Sequence, residues 1–186
     1  FPASVSVLGD GAFKNCSSLE SLGLYCDADG ISGRLVEGCS SLKTISTSSF
    51  STKYTTFGGA LLSADKTEMI IFPAAIERGS YTLPSTVTSV AAYAFMGAQF
   101  AELDLSNTEM IGMSAFEGCE NLMSVSGKKV STIGYGAFRN CTALKTLDFT
   151  ESLREISIFP TEFMKCTPDS HGTASDISPL QITQSP

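Results

Sequence analysis

Ala137-Phe138-Arg139-Asn140-Cys141 is one copy of a five-residue motif, Ala-Phe-x-(Gly/Asn)-Cys, that recurs along the chain. Close copies stand at 12–16 and 115–119, and looser copies at 35–39, 94–98 and 162–166. Successive steps from Phe95 to Phe116, Phe138 and Phe163 are 21, 22 and 25 residues. A period in the twenties is typical of stacked solenoids, whose units bury a core only against their neighbours. The sequence therefore predicts a solenoid.

Each position of the motif has a structural interpretation. The Phe is predicted to anchor the core from a helix barely one turn long, and the Ala before it permits close packing. Gly and Asn accept the left-handed conformation that ends a helix, and they occupy one column: Asn15, Gly38, Gly97, Gly118 and Asn140. Lys165 breaks this column, which predicts a distorted or capping last repeat.

An apolar pair precedes the motif, as in Val130-x-x-Ile133, and predicts a short extended segment. A small residue that suits a turn usually follows the pair; this column holds Gly9, Ser32, Ala91, Gly112 and Gly134. After the Cys comes a Leu-x-x-Leu-x-Leu pattern, clearest at 19–24, 100–105 and 144–149. Its period-two alternation predicts one half-buried strand per coil, and stacked coils would join these strands into a parallel sheet.

The block Ile133–Cys141 and the Leu-x-x-Leu-x-Phe that follows it resemble the BspA-like leucine-rich repeat, also called the Treponema pallidum type. The resemblance covers roughly residues 4–49 and 86–166. It implies an α/β, horseshoe-like leucine-rich-repeat solenoid with a parallel strand ladder and short one-turn helices. Such repeats are typical of bacterial and protist surface proteins, so the resemblance also implies an extracellular or cell-surface location.

The repeat pattern is interrupted between residues 50 and 86. Ala60-Leu61-Leu62 and Met69-Ile70-Ile71-Phe72 flank a polar, turn-like segment at 63–67. This arrangement favours a β-hairpin insertion, and one degenerate repeat is the alternative. We therefore divide one continuous domain into a first repeat block at 1–49, the interruption at 50–86, a second repeat block at 87–166 and a Ser/Thr/Pro-rich tail at 167–186. Only Ile177, Leu180 and Ile182 are apolar enough to anchor that tail.

Composition excludes several classes of function. The 186 residues carry a net charge of −7, which disfavours nucleic-acid binding because that binding needs clustered Lys and Arg. No run of 18 apolar residues is present, so no membrane span is predicted. The chain shows no signal peptide and begins at Phe1-Pro2, and we interpret it as a piece of a longer protein.

Five of the six cysteines occupy the last column of the motif: Cys16, Cys39, Cys119, Cys141 and Cys166. No Cys-x-x-Cys or Cys/His cluster indicates zinc. The column is predicted to hold buried free thiols that pack as small apolar groups. Cys26 lies outside the column and is the predicted candidate for reactivity or intermolecular pairing.

The sequence contains little that indicates catalysis or cofactor binding. His171 is the only histidine, and it lies in the irregular tail without a nucleophile motif near it. Asp27-Ala28-Asp29-Gly30 faintly resembles a calcium loop, but the bidentate position would fall on Val36, so a tight turn explains it better. We predict no enzyme activity, no cofactor and no metal.

The predicted function lies on the residues between the buried strand leucines, since these point to the exposed face of the sheet. That face is hydroxyl-rich and mildly acidic. We predict a surface or secreted module for protein interaction, adhesin-like, with a host or extracellular-matrix protein as partner; a glycan-binding accessory module and a structural spacer are the alternatives. The predicted contact residues are Tyr25, Glu102, Asp104, Lys128 and Asp148.

Overall fold

The computed structural model of the protein describes residues 3–76, 80–149, 153–156 and 181–182. These residues form a β-solenoid in which short strands of successive coils stack mainly in parallel. The strands are β1 (Ser21–Leu24), β2 (Thr44–Thr47), β3 (Tyr54–Phe57), β4 (Ala60–Ser63), β5 (Glu68–Ile71), β6 (Ser80–Thr82), β7 (Ser89–Val90), β8 (Glu102–Asp104), β9 (Met110–Ile111), β10 (Ser124–Ser126), β11 (Thr132–Ile133), β12 (Thr146–Asp148), β13 (Glu155–Ile156) and β14 (Gln181–Ile182).

The predicted strand ladder is present and is accompanied by a second one. The segments that follow the motif form a two-stranded sheet, β1-β2, and the central strands β8, β10 and β12 of a five-stranded sheet in the order β14-β12-β10-β8-β6. The apolar pairs that precede the motif form β7, β9, β11 and β13, which join three strands of the interruption in a seven-stranded sheet in the order β13-β11-β9-β7-β5-β4-β3. Val125 lies opposite both Leu103 and Leu147, so the buried position of each strand stays in register through the stack.

The predicted one-turn helices are not confirmed. Among the described residues the only helix is the 3-10 helix Gly33–Val36, and elsewhere the motif forms turns. The reason is that alternate amide groups of the motif bond to the next coil: Phe95 N–H donates to the Ala115 carbonyl at 2.7 Å, and Phe116 N–H to that of Ala137 at 2.8 Å. An amide used between coils cannot donate to a carbonyl within its own helix. The fold is therefore a parallel β-solenoid with almost no helix.

The Gly/Asn column has the left-handed conformation that the sequence predicted. Its φ angles are 62°, 75°, 70°, 73° and 57° for Asn15, Gly38, Gly97, Gly118 and Asn140. A second left-handed column comes just before the Ala-Phe pair and was not predicted. It holds Gly11, Tyr93, Ser114 and Gly136, with φ between 50° and 72°. Tyr and Ser take this conformation because the stacked coils on either side impose it.

The motif phenylalanines stack into a continuous ladder through the core. Ring centroids are 5.0 Å apart between Phe95 and Phe116 and 5.2 Å apart between Phe116 and Phe138. Phe72, which belongs to the interruption, extends the ladder at 5.0 Å from Phe95. The residues from β5 to β6 thus form one more coil: β5 pairs with β7, Phe72 fills the aromatic column, and β6 pairs with β8.

The rest of the interruption forms a hairpin that separates two parts of the core. β3 and β4 are antiparallel, as are β4 and β5. Because β4 and β5 are buried on both faces, Leu61 and Ile71 pack with the N-terminal core, and Leu62 and Met69 pack with the C-terminal core. The apolar runs in these two strands are typical of strands covered on both sides.

The structure divides the cysteines differently from the sequence prediction. Cys39, Cys119 and Cys141 are buried free thiols, as predicted. Each donates its S–H to the carbonyl of the motif phenylalanine one coil earlier at 3.0–3.1 Å, and these acceptors are Phe13, Phe95 and Phe116. Cys16 is exposed and Cys26 is buried, so the predictions for these two are wrong. Cys16 belongs to the outermost described coil, where no earlier coil covers it. Cys166 lies outside the described residues.

Part of the tail is also placed. β14 pairs in parallel with β12, and Ile182 lies opposite Leu147. The tail thus adds a strand at the C-terminal edge of the five-stranded sheet. The other proposed anchors, Ile177 and Leu180, lie outside the described residues, as does His171.

Candidate partner-binding face

The five-stranded sheet has one buried and one exposed set of side chains. Leu103, Val125 and Leu147 point into the core, which leaves the flanking positions of the same strands on the outer face. The pairing aligns these positions into two rows. One row runs Glu102, Ser124, Thr146; the other runs Thr82, Asp104, Ser126, Asp148.

These rows line a shallow groove of about 310 Å³. Three of the five predicted contact residues, Glu102, Asp104 and Asp148, lie in it together. Hydroxyl groups from the intervening strand separate the carboxylates, since Ser126 stands between Asp104 and Asp148 in the pairing. Neighbouring strands are about 4.8 Å apart, so these two aspartates are roughly 10 Å apart along the sheet.

The groove is acidic because Glu102, Asp104 and Asp148 line it, and none of its described lining residues is a lysine or an arginine. The ion pairs in the described part of the chain join Lys14–Glu37, Lys43–Glu20, Lys53–Asp29 and Arg139–Glu117, all elsewhere. Asp104 accepts hydrogen bonds from the amide and hydroxyl of Ser106, which orient its carboxylate. Asp148 has one carboxylate oxygen, Oδ1, that is shielded from solvent and accepts no hydrogen bond.

The other two predicted contact residues lie apart from the groove. Tyr25 follows β1 of the two-stranded sheet and is 51% exposed. Its ring lies over Gly23, where a Cβ would be 2.7 Å from Tyr25 Cε2, and its hydroxyl is 3.4 Å from Ser46 Oγ. Lys128 is exposed beyond the end of β10 and does not line the groove. The five predicted contact residues therefore do not form one face. Three line the groove, Tyr25 lies at the two-stranded sheet, and Lys128 lies beyond the end of β10.

Sequence reasoning missed the contribution of the interruption to this groove. Tyr81 and Thr82 in β6 line its N-terminal end, although the sequence analysis assigned them to the interruption at 50–86 and not to the strand ladder. Ser80-Tyr81-Thr82 does alternate polar and apolar residues, as a half-buried strand should. Three residues are too short a signal to separate a strand from a connection.

Asp27-Ala28-Asp29-Gly30 fixes a neighbouring loop and does not resemble a metal site in its contacts. Asp27 accepts hydrogen bonds from the Ser51 hydroxyl and from the amide and hydroxyl of Thr52, and Asp29 pairs with Lys53. In the described part of the chain no group of three or more His, Cys, Asp and Glu side chains could hold a metal ion. The segment instead braces the loop between β2 and β3.

This bracing predicts a pH response at Asp27. Hydrogen bonds, chiefly from Ser51, lower the pKa of Asp27 from its usual 3.8 to about 2. A lowered pKa means that the interaction contributes to stability above the usual value and is lost as the pH falls toward 2. The amide resonance of Thr52, followed by NMR, should therefore titrate with a midpoint near 2 in the wild-type protein.

The Asp27→Asn variant is the control, since its amide cannot titrate. Its Thr52 resonance should stay constant over the same pH range. A wild-type midpoint close to the usual carboxyl value of 3.8 would show that these hydrogen bonds do not form in solution.

The stacked parallel strands, the phenylalanine ladder and the period in the twenties define a leucine-rich-repeat solenoid. The model of the BspA type leucine rich repeat region matches in six copies over residues 1–80 and 77–167. The chain belongs to this family. No curated protein matches it significantly, and no helix in the described residues is long and apolar enough to cross a membrane.

Solved structures of bacterial leucine-rich-repeat proteins have a similar fold. The pneumococcal vaccine antigen PcpA is 27% identical with a TM-score of 0.67, and the match covers 74% of this chain and 35% of that one. A leucine-rich repeat protein of Eubacterium ventriosum is 24% identical with a TM-score of 0.55, over 78% of this chain and 45% of that one. A leucine rich cell surface protein of Faecalibacterium prausnitzii is 18% identical with a TM-score of 0.50, over 91% and 62%. The chain thus spans about a third of the length of PcpA.

Proposed function

We propose that this chain is a non-enzymatic protein-interaction module of an extracellular or cell-surface protein, adhesin-like in action, and that the acidic groove is its contact site. The observation that supports this most is the row of carboxylates and hydroxyls on a rigid strand ladder with no lining cation. Family membership supports an interaction role, and the similar fold of the F. prausnitzii cell surface protein supports the location.

The groove favours a partner segment that carries basic side chains. Glu102, Asp104 and Asp148 attract a cation, and the hydroxyls between them accept or donate hydrogen bonds along an extended chain. The strands fix these groups in advance, so little conformational entropy is lost on binding. A shallow groove without a sheltered acid–base pair gives no support to hydrolytic catalysis.

Reversing the charge of the groove should abolish its contribution to binding. In the triple variant Glu102→Lys, Asp104→Lys and Asp148→Lys, we expect affinity for a matrix-protein partner of the wild-type chain to fall roughly tenfold or more, which corresponds to about 1.4 kcal/mol. Binding is measured by biolayer interferometry against purified extracellular-matrix proteins, with a glycan array run in parallel.

The matched control changes the net charge equally at exposed positions outside the groove: Glu20→Lys, Glu109→Lys and Glu120→Lys. If both triple variants lose affinity equally, the effect is one of overall charge and the groove is not the site. Binding to glycans alone would favour the carbohydrate-binding alternative.

A further inference from the structure

Cys16 and Cys39 occupy the same motif position in the first and second coils, and the structure brings them together. The Phe13 carbonyl accepts two hydrogen bonds, one from the Cys16 amide at 3.1 Å and one from the Cys39 thiol at 3.0 Å. The Cys39 sulfur therefore lies beside the backbone of Cys16. One residue earlier, Asn15 N–H donates to the Glu37 carbonyl at 2.7 Å, which holds the two turns against each other.

This arrangement satisfies the main distance requirement for a disulfide. Parallel neighbouring segments place equivalent Cα atoms about 4.8 Å apart, within the range of roughly 4.4–6.8 Å that disulfides span. Closure also requires the Cys39 Sγ to leave the Phe13 carbonyl and turn toward the Cys16 Sγ.

The two thiols differ in a way that sets the order of reaction. Cys16 is exposed, whereas Cys39 is buried with 2% exposure. Burial raises the pKa of the Cys39 thiol, and a hydrogen bond from the Cys16 backbone offsets this only in part. Since the thiolate is the reacting form, an external oxidant meets Cys16 first, and Cys39 then serves as the resolving thiol.

We propose that Cys16 and Cys39 form a redox-active pair that closes to a disulfide between the first and second coils by exchange with a small-molecule disulfide. The Cys16 thiolate attacks one sulfur of glutathione disulfide, whose S–S bond breaks and releases one glutathione. Cys39 then loses its proton to solvent, and its sulfur attacks the Cys16 sulfur and releases the second glutathione. Two protein thiols are oxidised, and one glutathione disulfide is reduced to two glutathione molecules.

A second cysteine pair in the same column provides an internal control. The Phe116 carbonyl accepts hydrogen bonds from the Cys119 amide and the Cys141 thiol, both at 3.1 Å, as Phe13 does in the first pair. Cys119 and Cys141 are both 0% exposed. The two pairs share this hydrogen-bond geometry but differ in solvent exposure. Only the first pair should therefore react with a dissolved disulfide in the folded protein.

The test is to incubate the folded full chain with glutathione disulfide, alkylate the remaining thiols with N-ethylmaleimide after denaturation, and map the peptides without reduction. We expect a Cys16–Cys39 linked peptide to accumulate while Cys119 and Cys141 are recovered alkylated. The oxidised protein should also melt several degrees higher than the reduced protein, because the bridge constrains the unfolded chain. A stable glutathione adduct on Cys16 beside an unreacted Cys39, a linkage to any other cysteine, or equally fast closure of the buried pair would overturn the proposal.

Two variants separate the two steps of the exchange. Cys39→Ser should stop the reaction at the mixed disulfide on Cys16. Cys16→Ala changes an exposed residue and should prevent both the adduct and the bridge, with circular dichroism confirming that each variant is folded. A glutathione adduct on Cys39 in the folded Cys16→Ala variant would contradict the proposed order of reaction.

Discussion

Replacement of Phe116 by alanine should lower the free energy of unfolding by about 3–5 kcal/mol. Its side chain is fully buried at 0% exposure, so the substitution removes a large apolar group and leaves a cavity. Two aromatic contacts are lost as well, to Phe95 and Phe138, each worth roughly 0.5–1.5 kcal/mol beyond burial. Because a solenoid is stabilised by contacts between neighbouring coils, damage in the middle of the ladder weakens both interfaces of that coil.

Phe50 provides a matched control for this substitution. It is the same residue type, but it lies on the loop between β2 and β3 with 90% of its surface exposed. Phe50→Ala should change the free energy of unfolding by less than about 0.5 kcal/mol. Urea denaturation followed by circular dichroism measures both variants. If Phe116→Ala were as mild as Phe50→Ala, the stacked ladder would not be the core of the protein in solution.

The repeat columns could be predicted from the sequence because each is occupied by residues of one physical type. Phe95, Phe116 and Phe138 share an apolar column, and Asn15 and Gly118 share the column that requires a left-handed backbone. Local preference and stacked packing agree at these positions. The one-turn helices could not be excluded in the same way, because short turns in a solenoid bond to the next coil, and that choice depends on tertiary contacts.

The interruption shows where the repeat signal ends. Phe72 occupies the aromatic column without the Ala before it or the Asn-Cys after it, so motif comparison could not identify it. Tyr93 and Ser114 have positive φ although neither residue type favours it. In both cases the neighbouring coil determines the conformation, and a single sequence does not reveal which segment will be the neighbour.

The acidic part of the candidate face was predictable because it follows from period-two alternation alone. Once Leu103 and Leu147 are assigned to the core, Glu102, Asp104 and Asp148 must lie on the opposite side. Tyr25 could not be placed this way, since it follows its strand and lies on a different sheet. The choice of these residues as the contact site rests on their charge.

The second large effect is expected for Gly134→Ala, which should destabilise the protein by about 1–3 kcal/mol. A Cβ on Gly134 would lie 2.5 Å from Met113 N and 2.7 Å from the Gly112 carbonyl carbon. These are backbone atoms of the preceding coil, so they cannot move aside as the end of a flexible side chain can. The φ of Gly134 is not in the left-handed region, and the cost therefore comes from the close approach of two coils.

Gly9 belongs to the same repeat column and tests whether the column selects small residues for close coil stacking or for their turn preference. No atom lies within 4 Å of a Cβ placed on it, and its φ is not in the left-handed region either. Gly9→Ala should leave stability unchanged or raise it by up to about 1 kcal/mol, since alanine restricts the unfolded chain. Urea denaturation of the two variants gives the comparison. Equal effects at Gly9 and Gly134 would mean that the column selects small residues for their turn preference, whereas a loss at Gly134 alone would show that close coil stacking selects them.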